Sequence, residues 1–167
     1  MKVLIKHKDI VNACKTIGEQ ISEKYKGREI IVVCVLKGAA PFHSELIKYI
    51  NLPMQTDYIQ VKSYDKTEST GVITLKKDLD IDIENKDVVI VEDIVDTGNT
   101  LLWVKNTLEK RNPKSLTFVS MLDKPSRRKV EFKPDYIGFT IEDVFVYGFG
   151  LDLDEKCRNL KDVYIKE

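Results

Sequence analysis

Residues 88–101 read VVIVEDIVDTGNTL, and their second half carries the groups that could do chemistry. Glu92 and Asp93 follow a run of mostly β-branched residues, a third acid stands at Asp96, and Thr97-Gly98-Asn99-Thr100 leads into an apolar helical pattern. Ionised carboxylates only accept hydrogen bonds, whereas backbone amides and threonine hydroxyls at a helix start can donate to an anion. Two unit charges about 4 Å apart repel by roughly 4 kcal/mol at an effective dielectric of about 20, so the acids should not face a bound phosphate directly. A sugar phosphate satisfies both halves: its hydroxyls to Glu92 and Asp93, its phosphate to the turn from Asp96 to Thr100. A divalent cation would offset the remaining repulsion. A plainer reading stays open at this point, with Asp96 as a helix N-cap and the acid pair as a solvated strand end.

The flanking pattern must position these groups. Ile10, Cys14, Ile17 and Ile21 recur at helical spacing, predicting a helix over 9–24 that ends near Gly27. IIVVCVL (30–36) is a continuous apolar run of the kind covered on both faces in a parallel sheet. PFHSELIKYI (41–50) opens with proline and suits a returning helix, and DYIQVKSY and GVITL suit strands on either side of a polar loop, 65–70. DVVIV then repeats the strand, Leu101, Val104 and Leu108 mark a helix face that stops before Pro113, and SLTFVSML (115–122) is the next strand. Strand, helix and strand at this spacing argue for right-handed crossovers in an α/β fold with an open, mainly parallel twisted sheet flanked by helices. Ligands of such sheets bind outside the carboxyl ends of the strands, where Glu92 and Asp93 fall. After Lys124 the pattern is less regular, with short strand-like runs at YIGFTI and VFVYG and a polar tail.

Composition narrows the classes. A chain of 167 residues, 43% hydrophobic, suffices for one sizeable core, so a single domain over 1–167 is expected. Basic and acidic residues balance at 27 each, which favours neither a nucleic-acid nor a membrane-surface partner. The start, MKVLIKHKDI, lacks the apolar run of a signal peptide, and no stretch reaches the roughly 18–20 apolar residues of a membrane span, so a cytoplasmic protein is expected. Cys14, Cys34 and Cys157 have neither disulfide nor zinc spacing, and Cys14 and Cys34 read as small buried hydrophobes. His7 and His43 lack partners at ligand spacing. No GxGxxG or GxxxxGK[ST] follows the acidic strand, so neither a dinucleotide fingerprint nor a Walker loop accounts for it.

VVIVEDIVDTGNTL resembles the phosphoribosyl-pyrophosphate motif of type I phosphoribosyltransferases. VLKGAAPF (35–42), SYDKTESTG (63–71), LDKPSRR (122–128) and FVYGFGLD (145–152), followed by Arg158, narrow the resemblance to the hypoxanthine-guanine phosphoribosyltransferases. These stretches occur in that family's order and span most of the chain. The resemblance implies a core of about 8–125 and a small irregular hood from the N-terminal residues and about 126–167. It implies transfer of phosphoribose from phosphoribosyl pyrophosphate to a 6-oxopurine, with Mg2+ as cofactor, forming IMP or GMP. Two alternatives stand beside it: a xanthine-preferring transferase, and a non-catalytic nucleotide-sensing regulator of the same fold. Relatives commonly form homodimers or homotetramers.

Residue by residue, the resemblance implies that Glu92 and Asp93 hold the ribose hydroxyls and help bind metal. It implies that Asp96, Thr97, Gly98, Asn99 and Thr100 cradle the 5′-phosphate, with Asp96 also the general base near purine nitrogen 7. Lys37 and Gly38 match a loop that binds pyrophosphate through backbone amides, often across a cis peptide, and Arg158 matches an arginine on the same group. Ser63 and Tyr64 begin a lid that closes over the reacting centre. Lys124 would donate to the 6-oxo group and Phe145 would stack on the base. Val146 and Asp152 would place backbone groups at the base edge, and the Asp152 carboxylate would help hold a second magnesium. Asn99 stands where some members carry lysine, and Phe149 where a tyrosine is common.

Overall fold

The structure is a computed structural model that describes residues 1–64 and 72–167, without the Tyr64 side chain; the lid segment expected after Ser63 therefore lies mostly outside the described residues. Six strands form the main sheet. They are β2 (Ile30–Val35), β3 (Met54–Tyr64), β4 (Val72–Lys77), β5 (Asp87–Val95), β6 (Ser115–Asp123) and β7 (Tyr136–Thr140), in the order β4-β3-β2-β5-β6-β7. Every neighbouring pair is parallel except β3 and β4.

Helices cover both faces of this sheet, which explains why β2 and the first half of β5 read as unbroken apolar runs. Side chains alternate across a strand. Val32, Val89 and Val91 meet Ile10, Cys14 and Ile21 of α1 (His7–Lys24) and Phe42 and Leu46 of α2 (Ala40–Leu46). Their chain neighbours Ile31, Val33, Val88 and Ile90 meet Leu101, Val104 and Leu108 of α3 (Asn99–Glu109) on the opposite side. Burying one such side chain contributes about 1.5–3 kcal/mol, so the two faces hold α1 and α3 firmly against the strands.

A second, antiparallel sheet joins β1 (Lys2–Ile5), β9 (Val163–Ile165) and β8 (Val146–Tyr147), in the order β1-β9-β8. This sheet, called the hood below, pairs β1 with β9 from the other end of the chain. The sequence pattern did not predict β1 or β9, because only Ile5 of β1 is buried and β9 is three residues long. The expected hood boundary near 126 needs correction: β7 belongs to the main sheet, paired with β6 from Val119↔Tyr136 to Asp123↔Thr140. Strand β5 runs four residues past DVVIV, so Glu92 and Asp93 lie within the strand. The predicted second helix stops at Leu46 and continues as a 3-10 turn, Ile47–Tyr49.

Cys14 and Cys34 are fully buried and free, and burial pushes both thiols up to about 12, so they are poor nucleophiles and serve as packing. His43 is buried beside the Val32 carbonyl (Nε2 to O, 3.2 Å), and burial lowers its pKa. Among the described residues, no helix is long and apolar enough to cross a membrane.

Candidate active site

The acid pair sits at the carboxyl half of β5, a strand flanked on both sides: Val91 is opposite Cys34 of β2, and Glu92 is opposite Ser120 of β6. Glu92 is only 7% exposed, which rules out a solvated strand end. The Asp93 amide donates to Glu92 Oε1 (2.9 Å), and the Ile94 amide donates to Asp93 Oδ1 (2.6 Å). Burial, reinforced by the neighbouring Asp93 charge, holds the Glu92 carboxyl well above the usual range. Burial also raises Asp93, against the opposing pull of its hydrogen bonds and Arg158.

An acid held above its unfolded pKa stabilises the fold at low pH and loses that contribution as pH rises and it must ionise. Glu92→Gln keeps the acceptor oxygen and removes the charge. The ligand-free variant should therefore match the parent near pH 4 and be more stable by about 1–2 kcal/mol at pH 8, or about 2–8 °C in Tm. Thermal melts across that range check this, and a variant no more stable than the parent at pH 8 would show that ionised Glu92 is not a burden on the fold.

Beyond Val95 the chain turns over a cavity of about 190 Å³ lined by residues from Glu92 to Gly98 together with Thr100 and Leu101. Helix α3 starts at Asn99, with Gly98 at its N-cap in the left-handed region (φ +89°), so Asp96 is not the cap of α3. Gly98 is required twice over. A Cβ there would lie 2.8 Å from Arg128 Cδ and 3.0 Å from Val130 Cγ2, and the backbone angle disfavours any other residue. Arg128 braces the turn from behind: Nε donates to the Asp96 carbonyl (3.4 Å), Nη1 donates to the Phe132 carbonyl (2.5 Å), and Nη2 pairs with Asp123. The Lys129 amide donates to the Thr97 carbonyl (2.9 Å). Asp96 itself accepts from Arg127 (Nε to Oδ1, 2.8 Å). Sequence reasoning missed both arginines; the only signal was the basic pair closing LDKPSRR.

The loop after β2 reaches the same place. The Leu36–Lys37 peptide is cis, and a Cβ on Gly38 would overlap Asp93 Oδ2 and lie 3.6 Å from Arg158 Nη1. A Cβ on Gly150 would likewise overlap the Gly38 carbonyl. The Gly38 peptide is thus wedged between the β5 acid and the hood, which glycine alone permits. Gly38→Ala must displace the Asp93 carboxylate or shift the loop itself, and should cut kcat/KM at least tenfold while Tm falls by only a few degrees. Steady-state kinetics with thermal melts check this. Arg158 donates to the Gly150 carbonyl (2.8 Å) and to Glu155 Oε1 (2.9 Å) and lies 3.4 Å from Asp152 Oδ1; among the described residues its buried Nε has no partner. Lys37 Nζ donates to the other Glu155 oxygen (2.8 Å). The two cations hold the Glu155 carboxyl below the usual range. Sequence reasoning gave Glu155 no role.

Lys124 follows β6, its amide donating to the carbonyl of Val95, the last residue of β5 (2.9 Å). It is 6% exposed, with its ammonium 3.9 Å from Asp143 Oδ1, so it is not a solvated turn residue. Phe145, by contrast, is 52% exposed, with Lys166 Nζ 5.5 Å from its ring centroid. A buried lysine and an exposed phenylalanine reverse the usual preference. Val146 is buried in β8 opposite Ile165. Ser63 is exposed in β3 opposite Ile73, remote in sequence from the cavity residues.

Among the described residues, no three acidic, histidine or cysteine side chains converge to hold a metal. The donors present still fit magnesium, which favours hard oxygen ligands and commonly takes one or two carboxylates, completing its shell with water and phosphate oxygens. Glu92 and Asp93 supply such a pair, with both carboxyls raised by burial. Asp152 pairs with Arg158.

A family model described as the phosphoribosyl transferase domain matches residues 2–155. A hypoxanthine-guanine phosphoribosyltransferase of Staphylococcus aureus is 46% identical over 95% of this chain and 89% of that protein. A crystal structure of a hypoxanthine phosphoribosyltransferase from the same organism superposes with a TM-score of 0.96 at 44% identity, covering all of this chain and 91% of the other. A hypoxanthine-guanine phosphoribosyltransferase from Bacillus anthracis gives the same TM-score at 40% identity, covering 100% and 99% of the two chains. With the match spanning nearly the whole chain and an acid pair, a glycine turn and a wedged loop gathered at one sheet end, the chain belongs to the phosphoribosyltransferase family.

Proposed function

We propose that this phosphoribosyltransferase joins hypoxanthine or guanine to phosphoribosyl pyrophosphate, releasing pyrophosphate and forming the nucleoside 5′-monophosphate. The observation that carries the choice of base is the buried Lys124, a cation held beside the phosphate turn with an exposed aromatic, Phe145, following in the hood. The names of the relatives support the same choice.

In this reading the turn from Asp96 to Thr100 binds the 5′-phosphate through amides and hydroxyls, and Glu92 and Asp93 accept from the ribose diol. Lys37, Gly38 and Arg158 bind pyrophosphate. Glu92 and Asp93, with Asp152 at a second site, would hold Mg2+, which when bound neutralises the phosphate charge and the departing pyrophosphate. Lys124 donates to the 6-oxo group, Phe145 stacks on the ring, and the backbone at Val146 and Asp152 meets the base edge. Asp96 takes the proton from ring nitrogen 7 as nitrogen 9 attacks the anomeric carbon. The protein then contributes mainly position and preorganised charge. Ser63 and Tyr64 lead into the segment that would cover the site, in a chain acting as a homodimer or homotetramer in the cytoplasm.

The test is kcat/KM for hypoxanthine, guanine, xanthine and adenine at saturating phosphoribosyl pyrophosphate and Mg2+. A site that pairs with an oxo group can reject an analogue lacking it by about 10⁴–10⁵, so adenine should be used poorly. Absence of nucleotide product from every 6-oxopurine would refute the reading, and a preference for xanthine would redirect it.

A further inference from the structure

The residue facing Asp96 has no place in the reading above, yet its contacts join the two ends of the proposed purine edge. Arg127 closes the 3-10 turn Pro125–Arg127, anchored by its amide to the Lys124 carbonyl (3.1 Å). Its Nε donates to Asp96 Oδ1 (2.8 Å), and its Nη1 lies 3.7 Å from Asp143 Oδ2. Asp143 Oδ1 in turn lies 3.9 Å from Lys124 Nζ. The four charges alternate in sign along one path, Asp96, Arg127, Asp143, Lys124, with the proposed proton acceptor at one end and the proposed oxo donor at the other.

On a 6-oxopurine the oxo group and nitrogen 7 share one edge, so the groups that meet them must be held a fixed distance apart. Asp96 stands on a turn with its side chain 41% exposed, so burial does not fix its carboxylate in one orientation. A guanidinium is planar and its donors are fixed relative to one another, so it orients a carboxylate more strictly than an ammonium can. By taking Oδ1, Arg127 leaves Oδ2 as the oxygen for the purine, and among the described residues no hydrogen bond reaches that second oxygen. We propose that Arg127 is a positioning residue which, with Asp143, orients Asp96 and sets its separation from Lys124, and so governs use of the purine without touching phosphoribosyl pyrophosphate.

This assignment rests on the proposed purine chemistry, and the experiment separates the two. Wild type, Arg127→Ala, Arg127→Lys, Asp96→Asn and the Ala/Asn double variant are assayed with hypoxanthine and with phosphoribosyl pyrophosphate varied in turn. Exposed ion pairs add little to stability, so Arg127→Ala should melt within about 2 °C of the parent. It should lower kcat at least tenfold, leave KM for phosphoribosyl pyrophosphate within twofold, and be partly restored in Arg127→Lys. In the Asp96→Asn background the same change should cost less than twofold, because residues acting as a unit are not additive. An equal loss in both backgrounds, no loss in the parent, or a loss confined to phosphoribosyl-pyrophosphate KM would overturn the positioning role. A parent that makes no nucleotide refutes the proposed function instead.

Discussion

Asp96→Asn should lower kcat by about 10²–10⁴-fold, the usual worth of a positioned general base, while phosphoribosyl pyrophosphate continues to bind. The substitution is nearly isosteric. Asparagine can still accept from Arg127 through Oδ1, and the turn is braced by the Asp96 carbonyl to Arg128 rather than by the side chain. Gly98, not Asp96, caps α3, so the helix start and its amides should survive. What the amide cannot do is take a proton. Kinetics with each substrate varied, together with direct measurement of phosphoribosyl-pyrophosphate binding, check the split. An unchanged kcat would remove the base role, and a parallel loss of binding would show that the carboxylate serves the phosphate turn instead.

Lys124→Ala should reduce kcat/KM for hypoxanthine about 10- to 200-fold, which corresponds to the roughly 1.5–3 kcal/mol of a hydrogen bond from a charged donor. Phosphoribosyl-pyrophosphate binding should change little, because the acid pair stands on β5 and the phosphate turn follows it, and neither uses the ammonium. The preference for hypoxanthine over adenine should narrow in the same variant, since the donor that distinguishes them is gone. Lys124→Met separates recognition from packing: it fills the space of a side chain that is only 6% exposed while removing the charge. An equal loss for both substrates, or an unchanged ratio of hypoxanthine to adenine, would argue against base recognition.

Parts of this site were legible because their chemistry is local. Three acids followed by a threonine-rich turn already divide into acceptors and donors, and an unbroken apolar run already implies a strand covered on both faces. The continuous run 30–36 and the alternate burial of Val32 against Ile31 and Val33 agree on that point. Other parts depend on groups far apart in the chain. Glu155 meets Lys37 across 118 positions, and the hood strand β9 pairs with β1 from the other end of the chain. No periodicity marks such encounters, and a strand with one buried residue leaves no pattern to read.

The sequence by itself determined the donor and acceptor character of VVIVEDIVDTGNTL and the parallel sheet that carries it, because residue type and spacing set both. Only the tertiary structure decided that Glu92 is buried and resists ionisation, that Gly38 is wedged against Asp93, that Lys124 is enclosed while Phe145 is exposed, and that Arg127 faces Asp96. These are properties of surroundings rather than of residues: a carboxylate's pKa and a glycine's necessity follow from which distant atoms the folded chain brings within a few ångströms.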